Sequence, residues 1–134
     1  LAEVNAMPLL PSTCILLAHG FDAELVTRWV VLGRSQAHPV KLVGMLAGAL
    51  RSDHGISLNP DCTLEDMDAA RVAYLLLPGG VRYLQSLFRD PRVLRLASAV
   101  RADGGLVLAP RRAAARFADA GVAAAENHYL EMTV

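Results

Sequence analysis

The sequence predicts an α/β domain, with an open, mostly parallel sheet held between two layers of helices. Three observations carry this prediction. Short, nearly continuous apolar runs recur at residues 13–18, 40–45, 72–77 and 106–109, as strands buried on both faces require. Stretches with apolar residues at helical spacing lie between them. Abrupt breaks end the runs: His19-Gly20, Pro78-Gly79-Gly80 and Pro110. Strands alternating with helices indicate parallel pairing, and right-handed crossovers then bring the strand ends, and any pocket, to one edge.

The chain has 134 residues, enough for one domain, 1–134, with a real core. A hydrophobic fraction of 54% against 19% charged residues argues against disorder. The formal net charge is zero, so no global field favours nucleic acid or a membrane surface. Neither is expected as a partner. Twelve of the thirteen basic residues are Arg, and eight of them fall between Arg82 and Arg116 with only two acids. That half is locally basic, which by itself suits a solvated face. No apolar run approaches the ~20 residues of a membrane span. Residues 1–11 read as a poorly ordered lead-in with no signal-peptide pattern, and Met7-Pro8 is a candidate natural start. Cys14 and Cys62 show no metal spacing, so no metal or other cofactor is expected. A reduced, cytoplasmic setting is the default.

In chain order, residues 13–18 (TCILLA) form the first strand, with Cys14 a small core residue. His19-Gly20-Phe21 turns the chain, and Asp22 caps a helix from about Ala23 to Gly33. Residues 40–45 form a second strand. Residues 46–58 suit a small hairpin, and Asn59-Pro60-Asp61 a turn. Thr63 with Asp66 resembles a capping pair for a short helix. Cys62 falls in the loop before it. Residues 72–77 (VAYLLL) are a buried strand, ended by Pro78-Gly79-Gly80. Residues 81–88 begin helically. Asp90-Pro91 then gives a cap followed by a helix-starting proline, for a helix to about Ala102 that turns Val93, Leu94, Leu96, Ala97 and Val100 inward. Residues 106–109 are a strand, Pro110 opens an alanine-rich helix, and Gly121 closes it. From His128 the tail alternates weakly, as one last strand would.

Four segments resemble the ThiJ/PfpI family, within the class I glutamine-amidotransferase-like superfamily, and they come in the right order. ILLAHGFDAE is similar to its first strand and acidic turn, and HGISLNPDCTLEDM to its hairpin and acidic helix. YLLLPGG is similar to its strand and glycine pair, and GGLVLAPRRAAARFADAGV to its strand, nucleophile corner and helix. The resemblance spans residues 15–122 and implies a flavodoxin-like three-layer sandwich, C-terminally shortened. It implies that Glu24 orients or activates a nucleophile, provided the turn has lost one residue; otherwise Leu25 falls there. It implies that Gly79 and Gly80, with Val81, turn backbone amides toward a pocket. At the corner, where the family carries its cysteine, this chain has Arg111, followed by Arg112. Arg is permanently protonated and cannot attack a carbonyl, whereas a thiolate can. The resemblance also implies a partner histidine further on. His128 lies in that region without a supporting motif and reads as a tail residue. A shortened sheet would expose an edge, and a homodimer, common among related proteins, would cover it.

Three functions compete. One is a pseudoenzyme that binds a small anionic ligand, a carboxylate or phosphate, or a protein partner. Arg111 and Arg112 would hold the anion together with free N–H groups of the helix start. The second is a repurposed lyase, hydratase or isomerase acting on a carbonyl or carboxylate compound. Glu24 or His19 would be its general base, and Arg111 would hold a carboxylate or enolate. The third is a structural subunit of a dimer or larger assembly. The turns at His19, Gly79 and Arg111 are expected to converge.

Overall fold

The structure, a computed structural model, describes residues 12–126. Strand β1 (Ser12–Leu17) is buried at every position. Successive side chains of a strand face opposite sides, so the sheet is covered on both faces at its centre. An unbroken apolar run such as CILL requires this. Asp22 then caps helix α1 (Ala23–Ser35), its carboxylate accepting from the Leu25 N–H at 3.1 Å. The helix buries Val26, Trp29 and Gly33. A Cβ on Gly33 would run into the Val40 side chain, so glycine lets α1 lie close against strand β2 (Val40–Gly44).

The predicted hairpin is present. Strands β3 (Leu50–Arg51) and β4 (Ser57–Leu58) pair antiparallel, outside the main sheet. Cys62 does not sit in a loop but in a short strand, β5 (Cys62–Thr63), parallel to β2. The helix expected after it is a single 3-10 turn, Leu64–Asp66, with the Asp66 carboxylate accepting from the Thr63 N–H at 3.1 Å. A second 3-10 turn, Ala69–Arg71, leads into β6 (Val72–Leu76).

Helix α2 (Val81–Leu87) and helix α3 (Arg92–Ala102) follow. The helix starts one residue later than expected, with Pro91 at its cap position and no side-chain cap bond, while Asp90 just before it accepts from the Arg92 N–H at 2.9 Å. Val93, Ala97 and Val100 are buried, and Leu94 and Leu96 pack at the core's margin. Strand β7 (Leu106–Ala109) comes next. Pro110 opens not a helix but a 3-10 turn, Arg111–Ala113, before the six-residue helix α4 (Ala114–Asp119). A strand closes the described chain earlier than the tail alternation suggests. It is β8 (Ala125–Glu126), parallel to β7. His128 and residues 1–11 lie outside the described residues.

The main sheet runs β5-β2-β1-β6-β7-β8, with every pairing parallel. The chain steps outward from β1 to β2 and β5, then returns to the other side of β1 at β6. The crevice at the C-terminal ends of β1 and β6 is therefore a topological switch point, where open α/β sheets place their ligands.

Candidate functional site

Two turns are fastened together at that crevice. Phe21, fully buried, forms isolated bridges to both Ser52 of the hairpin and Gly79 after β6. The Asp22 N–H donates to the Pro78 carbonyl at 3.0 Å. The Gly20 N–H donates to the Arg51 carbonyl, and the Asp53 N–H to the Phe21 carbonyl, each at 2.9 Å. Gly20 holds φ +88, a left-handed conformation that glycine takes without strain. The expected meeting of the His19 and Gly79 turns is thus realised, and the hairpin joins them.

Helix α2 stands beside this junction and divides the surface. Tyr83 and Leu87, one turn apart, face the core. The Tyr83 hydroxyl donates to the Leu16 carbonyl of β1 at 2.6 Å, and burial pushes its pKa well above the phenol value, so it remains a donor. Val81, Leu84, Gln85 and Phe88 line one cleft, and Arg82 and Ser86 line a second.

The first cleft, about 660 Å³, also receives Arg89 from the end of α2 and Arg112 and Arg116 from the corner after β7. Arg116 stacks over the Phe88 ring at 4.5 Å from its centroid, and Phe117 meets the same ring edge-on at 5.6 Å. Three guanidinium groups therefore face a floor of Val81, Leu84 and Phe88. Among the described residues the lining contains no carboxylate. Arg can fork onto a carboxylate or phosphate, and the apolar floor suits a hydrocarbon body.

The second cleft, about 480 Å³, is lined by polar, charged and glycine residues and lies at the switch point. His19, Gly20, Arg51, Ser52, Asp53, Gly55, Arg82 and Ser86 surround it. The Arg51 N–H points at His19 Nδ1 at 3.4 Å. With Nδ1 accepting, the proton of the neutral ring sits on Nε2.

Of the residues singled out from sequence, Arg112 and Val81 line the first cleft and His19 the second. Arg111 is exposed and lines neither. Arg112 and Arg116 are four residues apart and share a flank, which leaves Arg111 off that face. The helix-start argument for an anion site does not apply either, because α4 has only six residues behind a 3-10 turn. Gly79 has a packing role. A Cβ there would overlap Tyr83, whereas Gly80 has open space. Glu24 is exposed on α1 and pairs with Arg28 at 3.0 Å, away from both clefts. Arg89, Arg116, Arg51 and Arg82 were not singled out. The four-residue spacings Arg112–Arg116 and Arg82–Ser86 were the available signal.

Neither cysteine is poised as a nucleophile. Cys14 is fully buried and its pKa is pushed up to about 11, chiefly by burial. Cys62 is half-buried and is also raised, again mainly by burial. Among the described residues no group of His, Cys, Asp and Glu could hold a metal ion, and no helix is long and apolar enough to cross a membrane.

The model of the DJ-1/PfpI family matches residues 11–129. Drosophila melanogaster DJ-1beta is similar in structure, with a TM-score of 0.75 at 23% identity, over 85% of this chain and 62% of that one. A DJ-1 superfamily protein from Salmonella typhimurium gives 0.69 at 25% identity, over 75% of this chain and 55% of that one. A ThiJ/PfpI domain protein from Brachyspira murdochii gives 0.65 at 14% identity, over 85% and 79%. The chain spans about half the length of the Salmonella protein. No curated protein matches it.

Proposed function

We propose, from the premise that this chain belongs to the DJ-1/PfpI family, that it binds a small organic anion non-covalently in the cleft between α2 and the corner after β7. One observation carries the reading. Arg89, Arg112 and Arg116 surround a partly apolar cleft whose lining, among the described residues, offers no carboxylate to neutralise them. A ligand with a carboxylate or phosphate head and a short apolar body satisfies both halves of that lining. Covalent chemistry has less support. The family resemblance aligns Arg111 with the cysteine corner, and burial keeps Cys14 protonated. The lyase, hydratase or isomerase reading ranks below binding, because Glu24, His19 and Arg111 are not gathered in one cleft.

Thermal unfolding with a panel of benzoate, short-chain carboxylates, phosphate and sulfate tests this. A ligand present at roughly one hundred times its dissociation constant adds about 2.7 kcal/mol. Stabilisation by one anion, lost in Arg112→Ala and kept in Arg111→Ala, is the expected result. A flat panel in all three proteins sinks the proposal and favours a protein partner.

A further inference from the structure

The second cleft is a site of its own, and its chemistry differs from that of the first. Three chain segments build it: the turn after β1 supplies His19, the hairpin supplies Arg51 and Asp53, and α2 supplies Arg82 and Ser86. Among the described residues, no ion pair or side-chain hydrogen bond engages the guanidinium of Arg51 or Arg82, or the carboxylate of Asp53. Two cations and one anion thus share this cleft without pairing with one another.

The frame around them is rigid. Besides the backbone bonds from Gly20 and Asp53, the buried Ser52 Oγ accepts from the N–H groups of His54 at 3.2 Å and Ile56 at 2.9 Å. These bonds fix the hairpin tip, so Arg51 and Asp53 are presented from a held backbone. Preorganised donors lose little entropy on binding.

We propose that this cleft binds a phosphate monoester carrying neighbouring hydroxyl groups. Its doubly charged head matches two guanidinium forks, one from each wall of the cleft. The Nε2–H of His19 and the hydroxyl of Ser86 supply further donors. Asp53 would repel a bare anion, but it accepts a hydrogen bond from a hydroxyl. It therefore selects a hydroxylated ester over free phosphate. The site is distinct from the arginine–aromatic cleft, because no described residue lines both.

Calorimetric titration with glycerol phosphate, inorganic phosphate and glycerol tests the assignment. Glycerol phosphate binds native protein more tightly than inorganic phosphate, and glycerol alone does not bind. Arg82→Ala weakens glycerol phosphate at least about tenfold, the loss expected of one charge-assisted contact. Asp53→Asn narrows the gap between glycerol phosphate and inorganic phosphate, and Arg34→Ala, at a residue lining neither cleft, changes neither. Absence of glycerol phosphate binding at millimolar concentration overturns the inference, as does undiminished binding in Arg82→Ala. Equal loss in Arg112→Ala would move the ligand to the other cleft and would also overturn it.

Discussion

Around the turn after β1, nearly every group is held. Phe21 is buried and bridges two neighbouring segments, Gly79 leaves room for Tyr83, and Tyr83 reaches back to a β1 carbonyl. The corner after β7, at the same edge of the sheet, is built differently. A 3-10 turn and a six-residue helix carry exposed Arg111, Arg112 and Arg116, and anchor themselves through Ala113 and Phe117. Where packing fixes each residue, chemistry has little freedom to vary. Where two buried side chains hold the segment, the exposed positions are free to change with the ligand.

The strongest break of this contrast comes from adjacent glycines. Gly79→Ala forces a Cβ into Tyr83 and should cost about 3 kcal/mol in chemical denaturation. Gly80→Ala, with nothing within 4 Å, should stay within about 0.5 kcal/mol. Equal losses at both would show that the Tyr83 contact does not dominate the turn. Next, Tyr83→Phe removes the donor to the buried Leu16 carbonyl and should cost about 1–2 kcal/mol, with little change in volume.

Asp90 probes a support of the held region. It binds Arg92, which also reaches the Met45 carbonyl after β2 at 3.2 Å. Hydrogen bonds from Arg92 lower the Asp90 pKa below the usual carboxylate value. A group lowered in the native state stabilises above its unfolded value, near about 3.9, and loses that contribution as pH falls through the native value. Asp90→Asn should therefore cost about 1 kcal/mol near neutral pH, and the difference from wild type should shrink in acid. A gap that stays constant down the acid limb would remove the carboxylate from the account.

The smallest stability effect belongs to the corner. Arg112→Ala should change unfolding by less than about 0.5 kcal/mol, because the side chain is exposed and no ion pair holds it among the described residues. A larger loss would mean that the corner is built as tightly as the β1 turn.

The fold was legible because its signals are local. STCILL and VAYLL announce buried strands, and Asp22 caps the helix it precedes. The clefts were harder to see because they depend on contacts between distant segments. His19 meets Arg51 thirty-two positions away, a pairing that no spacing rule announces. Arg112 and Arg111 are chemically equivalent in sequence, and only the orientation of the turn separates them. Glu24 was read toward a pocket from its place after the turn, yet it faces Arg28 one helical turn along. Short elements account for the remaining differences. A 3-10 turn and a two-residue strand leave too few residues for a period to emerge.

The position of β1 has a consequence for the nascent chain. Its register pairs Thr13 with Val40 on one side and with Tyr74 on the other. At roughly 5–20 residues per second of synthesis, the second neighbour follows about 3 to 12 seconds after the strand is made. Throughout that interval one edge of a strand buried at every position in the finished fold is unpaired, a template for any other extended segment nearby. The order in which the ribosome delivers β1 and β6 thus makes the birth of this domain, more than its finished state, its period of greatest exposure to aggregation.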